Sequence, residues 1–315
     1  MNQMPDLLIA RELSSLGADA RRLRPDRSKG RHRRLAPGVF VEARAFGELP
    51  DREQHLLRAR AIARVRGGEE PVLALHSAAA VWALPLLSRS PAQVHLLGAP
   101  GVADGVDTVR HRERVRDGDI VERDGHLVTS LERTVLDLAR LASREDAISA
   151  IDHALHEESG GLDKGDLLER IEDFRGYRGV KQARFLLALG EGAAGSAGES
   201  VSRLRMVDCG VPMPTLQSTF HDHRGFIGRV DFDWPGCSAV GEFDGLAKYR
   251  QPRMLAGADP ADVVIREKLR EDRLRALGLR VIRWTFADLH GRHALCALLR
   301  TAGLPPTHRG VPSAR

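Results

Sequence analysis

The chain is poor in cysteine, in aromatic rings and in long apolar runs. Its 315 residues include only three cysteines, Cys209, Cys237 and Cys296. They are isolated and odd in number, with no CxxC spacing. Neither a zinc cluster nor a disulfide framework is expected, and a reducing cytoplasm is the compartment that fits. Aromatic residues make up 4% of the chain, too few for a surface that stacks nucleic-acid bases. The longest apolar stretch, Val72 to Leu87, is interrupted by His76 and Ser77 and is too short to span a bilayer. The opening MNQMPDLLIARELSS has no basic region followed by a long apolar core, so no signal peptide and no membrane partner are expected.

Hydrophobic residues reach 42% and charged residues 29%, enough apolar material for more than one core. The length suggests two or three domains. Lys and Arg outnumber Asp and Glu by 48 to 43, a formal charge of +5. That mild excess permits an anionic partner without requiring one, so the distribution of charge decides.

Residues 1–50 read as a winged helix-turn-helix. Leu7, Leu8, Leu13 and Leu16 have helical spacing and Gly17 stops the helix. A second short helix is expected over Asp19 to Arg24. Arg33–Leu35 and Val39–Val41 flank the turn signal Ala36-Pro37-Gly38 as the two strands of a wing. Between Arg21 and Arg34 stand eight basic residues, Arg21, Arg22, Arg24, Arg27, Lys29, Arg31, Arg33 and Arg34, against the single acid Asp26. Such a cluster suits DNA phosphates, because neutralising them releases counter-ions. A solvated basic loop is the plain alternative.

Residues 51–189 read as mainly helical with a few strands. Helices are expected over Asp51 to Arg66 and Ser77 to Leu84, with strands at Val72 to Leu75 and Val94 to Leu97. Thr129-Ser130-Leu131-Glu132 reads as a capping box opening a helix that buries Val135, Leu136 and Leu138. His76, His95, His111, His126 and His153 share no metal-ligand spacing. Residues 190–198, GEGAAGSAG, read as a Gly/Ala linker. The embedded Gly190-x-Gly192-x-x-Gly195 matches the dinucleotide fingerprint only as a string, because a helix and not a strand precedes it. Residues 302–315 read as a flexible tail.

Residues 199–301 carry the chemistry. Their expected order is α-β-β-β-α-β, which makes the whole an α/β chain (α+β overall) ending in a mixed sheet flanked by helices. In Arg229-Val230-Asp231-Phe232-Asp233-Trp234 apolar and charged residues alternate, and in the next strand Val240, Glu242 and Asp244 share a face. A two-residue turn at Gly236-Cys237 would set Asp231 opposite Glu242 and Asp233 opposite Val240. Like charges so placed destabilise a sheet, and Mg²⁺ or Mn²⁺ would relieve them. Ser196 and Glu199 also fit a capping box, which would make Glu199 a helix cap.

Gly198-Glu199-Ser200, Val230-Asp231-Phe232 and Gly241-Glu242-Phe243-Asp244-Gly245 resemble the PD-(D/E)xK nucleases, in the branch of very-short-patch-repair endonucleases and DUF559 proteins. The run Glu271-Asp272-Arg273-Leu274 to Arg283 resembles that branch too. This resemblance implies a restriction-endonuclease-like sheet and Mg²⁺- or Mn²⁺-dependent hydrolysis of DNA. Asp231 and Glu242 would hold the metal, and Glu199 would reach it through water. The family places Lys two residues after the Glu, where this chain has Asp244. Lys248 or Lys268 would then supply the positive charge, or Asp244 would instead be a further ligand, and Gln217 would help orient substrate. Residues 6–50, with His76-Ser77-Ala78-Ala79 and Arg133-Thr134-Val135-Leu136-Asp137, resemble the AbiEi-type antitoxins. That resemblance implies a winged-helix repressor of a toxin–antitoxin operon, with DNA and either a toxin or a second copy as partners. The two expected functions are therefore a DNA endonuclease with its own DNA-binding head, and a non-enzymatic regulator with a degenerate nuclease-like domain.

Overall fold

The computed structural model describes residues 4–15, 31–66, 71–98, 107–245, 260–291 and 293–306, with backbone alone for 260–264. Arg21, Arg22, Arg24, Arg27, Lys29, Lys248, the helix expected over 19–24 and the end of the tail lie outside the described residues. The fold is α+β and divides into two compact units, Met1–Ala142 and Ser143–Arg315.

Unit 1 begins with β1 (Leu8–Ile9), α1 (Ala10–Ser15), β2 (His32–Ala36) and β3 (Val39–Glu42), followed by α2 (Ala43–Glu48) and α3 (Asp51–Arg66). The strands form an antiparallel sheet in the order β1-β3-β2. Gly38 takes the turn at φ +74°, a conformation that only glycine adopts without strain. After α4 (Leu75–Val81) come β4 (Val94–Leu97), β5 (Thr108–His111), β6 (Ile120–Arg123) and β7 (His126–Thr129), then α5 (Leu131–Leu141). β4 pairs with β5 in parallel and β6 with β7 antiparallel. Leu73 bridges the two pairs, standing opposite Leu96 on one side and Val128 on the other. The expected strand at Val72–Leu75 is thus a single bridging residue.

The boundary expected at residue 50 is not found. One apolar core runs through Leu35, Val39, Val41, Phe46, Leu57, Ile62, Leu73, Val94, Leu96 and Val128. The hairpin, α3 and the second sheet bury each other's apolar faces, so none of them forms a domain alone. α5 opens on Ser130, whose side chain accepts from Arg133 N, and Val135, Leu136 and Leu138 are buried as expected.

Unit 2 contains α6 (Arg144–Leu155), α7 (Lys164–Arg170), α8 (Val180–Leu189), α9 (Ala197–Cys209), β8 (Thr215–Asp222), β9 (Gly225–Trp234), β10 (Ala239–Asp244), α10 (Pro260–Ala276), β11 (Arg280–Thr285), α11 (Phe286–His290) and α12 (Ala294–Thr301). The sheet order is β11-β10-β9-β8, with β10 and β11 parallel and the other pairs antiparallel. The α-β-β-β-α-β order from α9 to β11 matches the sequence pattern. The turn between β9 and β10 does not. Pro235–Cys237 forms a 3₁₀ turn and Ser238 sits at φ +47°. The longer turn leaves the same residues facing near it, with Val240 opposite Asp233 and Gly241 opposite Phe232, but the pairing ends there, one pair short of the expected Asp231 and Glu242.

The linker expected at 190–198 is packed structure. Gly190 N closes the end of α8 on Leu186 and Leu187. Glu191 N donates to buried Asp152 at 2.7 Å, and Lys164 donates to Gly190 O at 2.9 Å. A Cβ on Gly192 would fall 2.7 Å from Leu155 O. The small residues are there because backbones approach closely, which is the opposite of a linker's reason for using them. Arg203 of α9 ties the same region together, reaching Asp152 at 2.9 Å and Leu189 O at 2.5 Å. Limited proteolysis is therefore expected to spare 190–198 under conditions that cut the chain elsewhere. A dominant nick there, releasing two folded pieces, would restore the linker.

Cys209 and Cys296, which look isolated in the sequence, form a disulfide with Cα atoms 5.3 Å apart. It joins the end of α9 to α12 across 87 positions. No short spacing could have announced it, and the pairing removes the cysteine argument for a reducing compartment.

Candidate functional site

Three groups of polar residues stand out. The first is basic. β2 lies at the edge of its sheet, and Arg31, Arg33 and Arg34 at or on it are exposed. Arg34 stands opposite Phe40 and Arg33 opposite Val41, so the apolar partners hold the strand while the guanidinium groups face water. Arg33 also lies over the Phe46 ring at 4.8 Å. Charged edge strands resist pairing with other chains, and a row of arginines also suits phosphate oxygens.

The second group is the carboxylates of unit 2. Glu199 sits in the first turn of α9 and is buried. Its Oε1 accepts from the Ser196 hydroxyl at 2.8 Å, and its Oε2 accepts from Gly195 N and Gln217 Nε2, both at 2.8 Å. Ser196 in turn accepts from Glu199 N. Glu199 therefore does act as a cap, closing on Gly195 N and Ser196 at the start of its helix. Gln217 reaches it from a left-handed backbone position, φ +55°, which costs about 1–3 kcal/mol for a residue with a side chain. Burial and then the charge of nearby Asp231 push the Glu199 carboxyl above its usual range, against these hydrogen bonds. Asp231 accepts from Phe243 N at 2.9 Å.

Glu242 is paired elsewhere. On β10 it lies directly beside Arg283 of β11, with Arg283 Nη2 2.8 Å from Oε2. Arg270 of α10 approaches Oε1 at 2.6 Å, an ion pair without the alignment of a hydrogen bond. Asp244 is 3.7 Å from Arg283. Lys268 lies on α10. Asp233 is buried, and that burial pushes its carboxyl up. Glu199 and Asp231 are thus brought together electrostatically, while Glu242 and Asp244 are engaged by arginine. Among the described residues no three His, Cys, Asp or Glu side chains are arranged to hold a metal ion. The donor set as it stands does not fit Mg²⁺ or Mn²⁺. Arg270 and Arg283 are the partners of Glu242 that the strand alternation missed. The parallel register of β10 with β11 is what exposes them.

The third group is a chain of imidazoles in unit 1. His55 Nδ1 lies 3.0 Å from Pro91 O, so that nitrogen carries the proton. His55 Nε2 accepts from the Ser77 hydroxyl at 2.8 Å, and Ser77 Oγ accepts from His95 N at 2.8 Å. His95 Nδ1 lies 2.8 Å from His111 Nε2 with the rings stacked, and His76 packs on His95 at 5.2 Å. Sequence spacing separates these residues, and the fold gathers them. Burial pulls His55 down to about 4, and burial with the neighbouring His111 pulls His95 down to about 3. An unfolded chain binds those two protons near pH 6.5 and the folded one does not. Unit 1 should therefore lose stability as pH falls from 6.5 towards 4. Asp137, pushed up mainly by burial to about 6, contributes with the opposite sign and against two histidines. Urea titrations at stepped pH measure this. His95→Asn should flatten the dependence, and an unchanged slope would rule the histidines out.

Comparison with known proteins places these features. Residues 72–189 match the model of the AbiEi antitoxin C-terminal domain. That stretch includes His76, Ser77, His95, His111, Arg133 and Asp137. Two curated relatives are the uncharacterized protein MT2308 of Mycobacterium tuberculosis strain CDC 1551 and the uncharacterized protein Rv2248 of strain H37Rv. Each is 32% identical over 238 residues, covering 75% of this chain and 82% of the relative. Among the described residues no helix is long and apolar enough to cross a membrane. The chain belongs to the family of these two mycobacterial proteins and carries an AbiEi antitoxin C-terminal domain over residues 72–189.

Proposed function

We propose that this protein is a DNA-binding regulator of the antitoxin type, whose basic N-terminal segment grips the phosphate backbone. The observation that carries the reading is the exposure of Arg31, Arg33 and Arg34 at and along an edge strand, at the end of a run of eight basic residues in fourteen. The match to an antitoxin domain supports it. In this reading residues 1–50 carry the winged helix, Arg21, Arg22 and Arg24 add to the DNA contacts, and a protein toxin or a second copy of the chain is the further partner. The test is DNA affinity against salt, on a duplex from upstream of the protein's own gene and on a scrambled one. Each arginine withdrawn from a phosphate should lower the slope of log K against log salt by about 0.9. Arg31→Ala/Arg33→Ala/Arg34→Ala should reduce that slope by roughly 2–3 on both duplexes. An unchanged slope would remove these arginines from the interface.

A second reading, a Mg²⁺- or Mn²⁺-dependent endonuclease, draws its support from the closeness of Glu199 to Asp231. Catalysis would rest on Glu199, Asp231, Glu242, Asp244 and Lys248. It expects plasmid nicking with Mn²⁺ that chelator, Asp231→Asn or Glu242→Ala abolishes. The regulator reading expects intact plasmid in every lane and the same duplex affinity in chelator.

A further inference from the structure

The neighbourhood of Glu242 holds more acid than base. Glu242, Asp244, Glu267 and Glu271 all face Arg283. It is 2.8 Å from Glu242, 3.7 Å from Asp244 and 3.3 Å from Glu271, and it also pairs with Glu267. Arg270 adds a second guanidinium between Glu242, at 2.6 Å, and Glu267, at 2.9 Å. It donates as well to Arg229 O at 2.8 Å. The Glu242 side chain keeps a tenth of its surface exposed. A carboxylate that far from water needs a counter-charge, and one chemistry that supplies it across several carboxylates is a divalent cation. Here the same office is filled from within the chain.

We infer that Arg283, assisted by Arg270, is a built-in counter-ion occupying the place of a divalent cation beside Glu242, so that unit 2 keeps its acidic sheet without metal. This goes beyond the regulator reading and does not depend on where DNA binds. Three features of the structure argue for it. Arg283 comes from the strand next to Glu242, in direct register, so the guanidinium is placed by the sheet itself. Arg270 comes from α10 and is fixed at its far end by the Arg229 carbonyl, so it does not swing freely. Arg275 holds Glu271 from the same helix at 2.5 Å, so three guanidiniums face four carboxylates with one negative charge in excess. Removing Arg283 leaves four acids facing two guanidiniums, of which only Arg270 reaches Glu242. A planar guanidinium also spreads its charge across several carboxylates at once, which the point charge of a lysine in the usual nuclease position would not.

The consequence is a masked cation site. Thermal melting with EDTA and with millimolar Mn²⁺ tests it on the full chain. The wild-type midpoint should not move with Mn²⁺. Arg283→Gln should melt lower in EDTA and regain several degrees with Mn²⁺, because a cation that binds only the folded state stabilises it by mass action. Arg283→Gln/Glu242→Gln should lose that response. An Arg283→Gln midpoint that ignores Mn²⁺ overturns the inference. A second measurement does not depend on the variant folding. The electron paramagnetic resonance signal of free Mn²⁺ should persist at full intensity with stoichiometric wild-type protein. Loss of that signal in wild type and its return in Glu242→Gln would show metal on Glu242 with Arg283 in place, and would also overturn it. Duplex affinity measured in EDTA reports on the regulator reading separately, so each idea can fail alone.

Discussion

Gly198→Val should leave unit 2 unable to fold. A Cβ at position 198 would lie 1.9 Å from Cε1 of Phe243 and 2.3 Å from its Cζ. Phe243 cannot retreat, since it is buried and packed edge-on against Phe286 with centroids 4.8 Å apart. Overpacking of this kind commonly costs about 1–3 kcal/mol even where neighbours relax, and here the clash is with a ring on the central sheet. The contact brings the start of α9 onto β10, and it is that approach which sets Glu199 near Asp231. Gly198→Ala should be milder and should be rescued in part by Phe243→Leu, which shortens the opposing side chain. Urea unfolding of the two single variants and the double one measures the coupling. If Gly198→Ala and Phe243→Leu simply add, the two residues do not touch as described.

This close approach also shows what the sequence could and could not disclose. Gly198-Glu199-Ser200 stands out as a pattern, and the alternation in Val230 to Trp234 and Val240 to Asp244 marks the two strands, while the facing of Asp233 and Val240 is expected from a short turn that the structure replaces with a 3₁₀ turn. Both signals are local, and strand periodicity survives without knowledge of the fold. The Gly/Ala run at 190–198 resembles a linker because small residues serve two opposite purposes. They loosen a chain in water, and they let backbones meet in a core. Only the neighbours, Leu155, Asp152 and Arg203, separate the two. The partners of Glu242 are hidden for a related reason. Arg283 lies 41 positions further on, and its place beside Glu242 depends on a parallel pairing that alternation within one strand cannot specify. The disulfide and the imidazole chain are equally non-local. The basic run is visible from composition alone, yet only its last three arginines fall within the described residues.

Arg133→Met should destabilise unit 1 by roughly 3–5 kcal/mol, the usual cost of breaking one side of a buried ion pair. Arg133 is 1% exposed. Its Nη1 lies 2.7 Å from Asp119 and 2.7 Å from Arg114 O, and its Nε lies 2.9 Å from Asp137. Asp119 and Asp137 are each 3% exposed, so removing the guanidinium strands two buried carboxylates at once. Asp137 keeps Arg140 at 3.2 Å, and Arg140 in turn holds Glu113 at 3.0 Å. Through these pairs α5 fastens the segment 113–119 that leads into β6. The string Arg133-Thr134-Val135-Leu136-Asp137 resembles an antitoxin motif, and its physical content is an i, i+4 ion pair turned inward, with Val135 and Leu136 in the core. A structural role predicts a definite pattern of rescue. Arg133→Lys keeps the charge but cannot span Asp119, Asp137 and the Arg114 carbonyl together, so it should recover only part of the loss. Arg133→Met combined with Asp137→Asn and Asp119→Asn removes the stranded charges, so it should be more stable than Arg133→Met alone. Denaturation midpoints at pH 7 decide the matter. A triple variant no more stable than the single one would mean that the network contributes by shape and not by charge. The fold supports the opposite ordering, because Asp119 Oδ2 and both Asp137 oxygens face a guanidinium on buried side chains.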